Sequence, residues 1–534
     1  MRCTPWFPRA AAAGLCAAGC LWGFPDTRDA GPVRVDGGLI TGAVSGGDVR
    51  VFRGIPFAAP PAGALRWKPP RPVVPWNGVR DCTSFGAWCP QPRPLLRAEL
   101  GPMNEDCLTL NVWTAAEAGA KRPVMVWIHG GGFTTGSGSA SIYDGETLAR
   151  EGAVVVTINY RLGPFGFLGH PLLSKESDDG VSGNYGLLDQ IEALRWVRRN
   201  AAAFGGDPGC VTIFGESAGS ASVCRLLVSP LAEGLFHRAI AQSGGAHGRN
   251  RGLRERRGAM EPLEALGERI ARELGCDKAD DPLAALRAAD ADAILKAAAP
   301  AQGLFGKGNQ FGPVVDGWAL PDDPARLWES GRHRKVPFLL GTNADEGSIF
   351  LQQLTAIRTA GAYRAAVRLL FREEAETLLA LFPAETDAEV AGAMNRLVTV
   401  GSFVAPARSL ARCSAKGGAP TWLYHFTRVP ESPWARRLGA FHGLEIAYVF
   451  GTLSGGSARL AFGETDRALS KTMRSYWLNF ARTGDPNGNG LPVWPAYEAA
   501  SDRHLELGDA VAAKAGLYRE ACDALEAARR KRSE

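Results

Sequence analysis

Several familiar signatures are missing from this chain of 534 residues. It has no His-Glu-x-x-His, no Cys-x-x-Cys and no histidine cluster at ligand spacing, so nothing in it predicts a metal centre. None of its glycine-rich runs fits a dinucleotide fingerprint or a phosphate loop ending in Lys-Ser/Thr, and no cofactor is expected. Asn-x-Ser/Thr is also absent, which argues against a glycosylated origin. Charge of one sign is nowhere concentrated on a candidate face: 60 Lys and Arg are interspersed with 55 Asp and Glu, for a net charge of +5. A nucleic-acid partner is therefore not expected. The run Arg529-Arg530-Lys531-Arg532 reads as a solvated tail. No repeat, low-complexity tract or long Ser/Pro linker divides the chain.

What is present fits a globular α/β protein. The chain is 46% hydrophobic and 22% charged, the balance of an ordinary folded domain. Continuous apolar runs at 124–128, 153–158, 211–214 and 336–340 predict parallel strands buried on both faces. Ala/Leu/Arg-rich patterns around 187–203, 261–274, 282–298 and 470–482 predict covering helices. The helix-rich stretches 245–310 and 350–400 are expected to form a cap. Length alone would allow three or four domains, but the motifs of one site span residues 129 to 442, so one large domain with insertions is the better reading.

The most informative stretch is Gly215-Glu216-Ser217-Ala218-Gly219. It follows a β-branched strand at Val211, Thr212 and Ile213 and precedes a small-residue helix start. Gly-x-Ser-x-Gly in that setting predicts a nucleophile elbow, with the serine in a strained strand-to-helix turn and its hydroxyl projecting. Upstream, the strand 124–128 runs directly into His129-Gly130-Gly131-Gly132-Phe133. Consecutive glycines leave backbone N–H groups open to an oxyanion, and Gly131, Gly132 and Ala218 are the expected donors.

A serine nucleophile needs a base, and the base an acid, in the chain order Ser, Asp or Glu, His. The acid candidates are the adjacent Asp345 and Glu346, just past the strand 336–340. Of the eight histidines only His425, His442 and His504 follow them. His425 alternates with Trp422, Tyr424 and Phe426 in an aromatic strand, and His504 is expected in an edge strand. His442 lies in a loop beside Gly443, where an imidazole can move between nucleophile and leaving group, and is the expected base.

These stretches, with Glu105-Asp106-Cys107-Leu108-Thr109-Leu110-Asn111-Val112-Trp113, Asn159-Tyr160-Arg161-Leu162-Gly163-Pro164-Phe165-Gly166-Phe167-Leu168, Asn184-Tyr185-Gly186-Leu187-Leu188-Asp189-Gln190 and His442-Gly443-Leu444-Glu445-Ile446, resemble the type-B carboxylesterase and cholinesterase-like family of α/β-hydrolases. The similarity runs from about residue 33 to about residue 510, with one small departure at Ala115, where the family usually has proline. The resemblance implies a mostly parallel sheet covered by helices, with helical cap insertions. It implies Ser217 as nucleophile, His442 as base and, by the carboxylate that directly precedes the glycine, Glu346 rather than Asp345 as acid. It also implies a disulfide between Cys89 and Cys107. The family's second bridge lacks a partner for Cys276, and Cys210 and Cys224 are expected to be buried thiols.

The implied reaction is hydrolysis of a small-molecule ester by water through an acyl-enzyme. An amidase, lactonase or lipase reaction on the same fold is the alternative; intact triad positions argue against a non-catalytic scaffold. The resemblance makes choline a poor fit: cholinesterases hold the quaternary ammonium with a tryptophan some ten residues before the cysteine that Cys107 matches, whereas the segment from Cys89 to Asp106 has no aromatic residue, and Arg93 and Arg97 would repel choline. Lys307 and Asn309 stand where cholinesterases carry aromatic residues, which predicts a roomier acyl pocket. At the N-terminus, Arg2 and Arg9 precede an uncharged stretch from Ala10 to Pro25, the pattern of a signal peptide over 1–25. Cys20 after Ala18-Gly19 also resembles a lipid-attachment site. Secretion or periplasmic export is expected, with a cytoplasmic enzyme as alternative. The expected division is then 1–25, 33–510 and a helical, basic tail at 511–534.

Overall fold

The computed structural model describes residues 30–93, 101–248, 250–258, 260–453 and 460–533. Cys20, the stretch 1–25 and Arg97 lie outside them. In chain order the strands are β1 (Val33–Val35), β2 (Gly38–Thr41), β3 (Ala43–Ser45), β4 (Val49–Pro56), β5 (Val79–Asp81), β6 (Thr109–Thr114) and β7 (Arg122–Ile128). They continue with β8 (Val154–Ile158), β9 (Gly206–Glu216), β10 (Arg238–Gln242), β11 (Phe338–Asn343), β12 (Thr421–Phe426), β13 (Arg503–Leu507) and β14 (Val511–Ala515).

Strands β1, β2 and β5 make a small sheet. The other eleven form one sheet in the order β14-β13-β12-β11-β10-β9-β7-β8-β6-β4-β3. Pairing is parallel from β13 through to β8 and antiparallel at both ends. This is the α/β-hydrolase arrangement. The apolar runs are there because the central strands are covered on both faces. In β7 every residue from Val124 to Ile128 is 0% exposed, and each such side chain contributes about 1.5–3 kcal/mol relative to exposure.

Several expectations need correcting in detail. His504 is not on an edge, because β13 is hydrogen-bonded between β12 and β14. The pattern at 282–298 is two helices, Pro282–Ala288 and Ala291–Ala298. Asp290 breaks it by capping the second one, its carboxylate accepting from the amides of Asp292 and Ala293. Cys224 is buried but Cys210 is only partly so, with its sulfur 3.2 Å from Arg238 Nη1. The stretch 511–534 supplies the outermost strand and the helix Arg519–Ser533. Two cations in its basic run are paired rather than merely solvated: Lys531 with Glu373 and Glu374, and Arg529 with Glu329.

Motifs far apart in the chain meet in the fold. Arg161 reaches across to Asp189 with a bidentate pair, Nε to Oδ2 at 2.8 Å and Nη2 to Oδ1 at 2.7 Å, both residues buried. Glu105 accepts from the Arg66 guanidinium. Cys89 and Cys107 form a disulfide with a sequence separation of 18, whereas Cys276 is unpaired. On the chain-entropy view, a loop of that size gains about 3 kcal/mol from its closure. Cys89→Ser is accordingly expected to lower the urea midpoint; an unchanged midpoint in non-reducing buffer would mean that the bond contributes nothing.

Candidate active site

Three parallel strands end at the same edge of the sheet, and the candidate residues leave from those ends. Ile128 of β7 pairs with Gly215 of β9, so the turn from His129 to Gly132 and the elbow at Ser217 emerge side by side. Glu216 pairs with Gln242 of β10, which pairs in turn with Gly341 of β11. This is the end of an α/β sheet where ligands bind.

Ser217 lies between β9 and the helix Ala218–Leu226, at φ 57° and ψ −119°. A non-glycine residue in that conformation is strained and persists only where its surroundings hold it. Here its amide donates to Gln242 O at 2.9 Å and its carbonyl accepts from Ala221 N at 2.9 Å. The flanking glycines are required by close approach. A Cβ on Gly219 would stand 1.9 Å from Ile128 O, and one on Gly215 2.6 Å from the same oxygen. The turn from β7 is as close to the elbow: a Cβ on Gly130 would lie 3.1 Å from Ser217 Cβ. Among the described residues, no main-chain or side-chain acceptor engages the amides of Gly131, Gly132 or Ala218.

The candidate acid and base are joined. His442 Nδ1 donates to Glu346 Oε2 at 2.5 Å, while Glu346 Oε1 accepts from Asn343 N at 2.7 Å; Glu346 is completely buried. Asp345 is used otherwise. Its Oδ2 accepts from Ala440 N at 2.9 Å and its Oδ1 from Asn395 Nδ2 at 2.8 Å, which brings the loop bearing His442 against the end of β11. Ser217 Oγ makes no hydrogen bond to His442. Such bonds are often long in an empty site and tighten when substrate is bound.

Glu216 precedes Ser217 and reaches His442. Its Oε1 is 3.0 Å from His442 Nε2, but out of line for a hydrogen bond. Glu445, which sequence reasoning left without a role, is fully buried and satisfied: it accepts from Gln242 Nε2 at 3.1 Å and from Asn343 Nδ2 at 2.5 Å. The spacing of Glu445 three residues after His442, on the first turn of the helix Glu445–Phe450, is its one sequence signal. Phe350 and Phe403 likewise escape a reading of the sequence. Their rings lie 5.2 Å and 4.9 Å from that of His442 and cover it from the helical cap. Lys307 is exposed, and Asn309 is tied to Ala298 O at 2.7 Å and to Arg269 at 3.0 Å.

The electrostatics favour a charged imidazole. Burial works against it, but Glu216, Glu346 and the Glu346 hydrogen bond outweigh burial and raise the His442 pKa above its ordinary 6.5. Burial also raises the Glu216 carboxyl, with Glu445 and Glu346 adding to it against the pull of His442. A base must be neutral to accept a proton, so the ascending limb of kcat/KM against pH should lie on the alkaline side of 6.5. Glu216→Gln removes one of the charges that favour imidazolium and should move that limb toward acid. A limb that stays in place would show that Glu216 does not act on His442.

Residues 29–525 match the carboxylesterase family. The chain is 41% identical over 492 residues to the fumonisin B1 esterase of Sphingopyxis macrogoltabida, covering 89% of this chain and 87% of that one. It is 38% identical over 483 residues to the para-nitrobenzyl esterase of Bacillus subtilis, covering 88% and 93%. A solved structure of a PNB esterase superposes with a TM-score of 0.78 at 35% identity, over 92% of this chain and 99% of that chain. The chain belongs to the carboxylesterase family, whose general feature is a Ser-His-Glu triad.

Proposed function

We propose that this chain is a carboxylesterase of broad ester specificity in which Ser217 is the nucleophile, His442 the base and Glu346 its acid partner. Gly131, Gly132 and Ala218 supply the oxyanion donors. The observation that carries this reading is the strained serine beside three uncommitted amides, next to a buried His–Glu pair. His442 takes the Ser217 proton as Oγ attacks the ester carbonyl, and Glu346 holds the resulting imidazolium. The carbonyl oxygen becomes an oxyanion facing the three amides. On collapse the alcohol leaves with the proton from His442, and water repeats the sequence to release the acid.

The exposed Lys307 and the tethered Asn309 support an acyl pocket wider than an aromatic-walled one. The relatives named for fumonisin B1 and para-nitrobenzyl esters support ester chemistry on something other than choline. Export to an oxidising compartment is part of the proposal, supported by the N-terminal sequence and the Cys89–Cys107 bridge; lipid attachment at Cys20 is its variant.

The test is hydrolysis of p-nitrophenyl esters from acetate to decanoate, set against an acylated choline. A wide pocket predicts that hexanoate is cut at least as fast as acetate, because each added methylene that fits is worth roughly tenfold or more in kcat/KM. Preference for acetate, or for the choline ester, would refute the specificity assigned here.

A further inference from the structure

The turn that carries Gly131 and Gly132 is held from behind by a residue with no place in the reaction. Gln91 lies two positions after Cys89, in Trp88-Cys89-Pro90-Gln91, and is 3% exposed. Its side-chain amide grips both main-chain groups of one residue: Oε1 accepts from Gly136 N at 2.7 Å, and Nε2 donates to Gly136 O at 2.9 Å. The second Nε2 hydrogen goes to Cys89 O at 3.0 Å. Both donors are spent and the orientation of the amide is fixed.

Gly136 is pressed against the start of the oxyanion turn. It has φ 119°, and a Cβ there would stand 2.4 Å from His129 Nδ1 and 2.6 Å from Gly130 O. Between the two, Gly131 O accepts from the amides of Thr134 and Thr135 at 3.1 Å and 3.0 Å, so the turn from 131 to 136 is closed on itself. The far side of the same loop is gripped from the other end of the disulfide. Asn159 Oδ1 accepts from Gly138 N at 2.8 Å and Ser137 Oγ at 3.0 Å, while its Nδ2 donates to Cys107 O at 3.2 Å. The disulfide thus brackets residues 136–138, with Gln91 acting beside Cys89 and Asn159 on the carbonyl of Cys107.

We propose that Gln91 is a positioning residue for the oxyanion donors, anchored by the Cys89–Cys107 disulfide. It touches no reacting atom. By fixing Gly136 it fixes the backbone from His129 to Gly132, and with it the direction of the Gly131 and Gly132 amides. The inference rests on the assignment of those amides as oxyanion donors. Stabilisation of that kind depends on donors being in place before charge develops, so a loosened turn should cost rate rather than substrate binding.

Gln91→Ala and Gln91→Glu decide it, with kcat expressed per active site titrated to completion by a fluorophosphonate. Gln91→Ala is expected to lower kcat by roughly tenfold to a hundredfold, the scale of a displaced oxyanion donor, with KM unchanged. Affinity for a trifluoromethyl ketone, which forms a tetrahedral adduct, should fall by the same factor as kcat. Gln91→Glu keeps the acceptor for Gly136 N but sets a carboxylate oxygen against Gly136 O and Cys89 O in place of the donor, so its loss of kcat per site should be at least as large as that of Gln91→Ala. A residue that only supports folding would reduce the number of titratable sites or the melting temperature and leave kcat per site intact, and that result overturns the proposal. Should Gln91→Ala not fold, the near-isosteric Gln91→Glu decides by the same criterion, and failure of both to fold also overturns it. Ser217→Ala run in parallel separates the two readings. If it retains turnover, the site assignment itself fails; if it is inactive while both Gln91 variants keep full kcat, only the role of Gln91 fails.

Discussion

Ser217→Ala is expected to abolish ester hydrolysis above the level that the remaining site can sustain. When a serine nucleophile that works as a unit with its base is removed, kcat falls by about 10⁶, and a residual activity from oxyanion donors and substrate binding survives. The fold should tolerate this change. Ser217 Oγ makes no hydrogen bond that alanine would forfeit, but the backbone at φ 57° remains strained whichever side chain sits there. Unfolding should therefore be little changed while activity and covalent labelling by a fluorophosphonate both disappear. Labelling and turnover that persist in the variant would remove Ser217 from the mechanism.

Glu346→Gln should have the next largest effect, and the reason lies in how the carboxylate is held. Asn343 N donates to Oε1 at 2.7 Å, so in glutamine the oxygen must stay at that position and the amide nitrogen must face His442 Nδ1. An N–H group there cannot accept the Nδ1 proton. The imidazole is driven into the other tautomer, with its proton on Nε2, where it can no longer take one from Ser217. A change of that kind at the acid of a triad lowers kcat by about 10⁴. Rates measured across the pH range would check it, since a wrong tautomer gives a deficit that persists on the plateau above the ascending limb. A loss smaller than about tenfold would mean that Glu346 does not set the tautomer.

The buried carboxylates around His442 show why part of the site is legible in the sequence and part is not. Ser217 announces itself because an elbow needs glycines at fixed offsets, and the requirement is local: strand and helix must pass within van der Waals distance of Ile128 O. The oxyanion turn is legible for the same reason. Asp345 and Glu346 are not distinguishable locally, since both follow the same strand and both are carboxylates. Only the docking of Ala440 on Asp345 and of His442 on Glu346 gives them different work. Glu445, Phe350 and Phe403 carry no warning either, because a carboxylate at a helix start and a phenylalanine in a cap are ordinary features until the fold aims them at one imidazole.

The same division holds for the fold. Periodicity and apolar runs place the central strands because burial on both faces is written into consecutive residues, as in Val124 to Ile128. They could not show that β13 is covered by β14, or that the pattern at 282–298 is cut at Asp290, since sheet edges and helix caps depend on what packs alongside. By itself, then, the sequence determined the reaction class, the Gly-x-Ser-x-Gly turn at Ser217, the glycine turn after Ile128 and the strands that carry them. Each of these rests on steric rules acting over a few neighbouring residues. Tertiary structure alone decided which charges face His442, which aromatic rings cover it and how Gln91 reaches Gly136. Those contacts join residues that stand tens to hundreds of positions apart in the chain, and a separation of that kind is closed only when the whole sheet has formed.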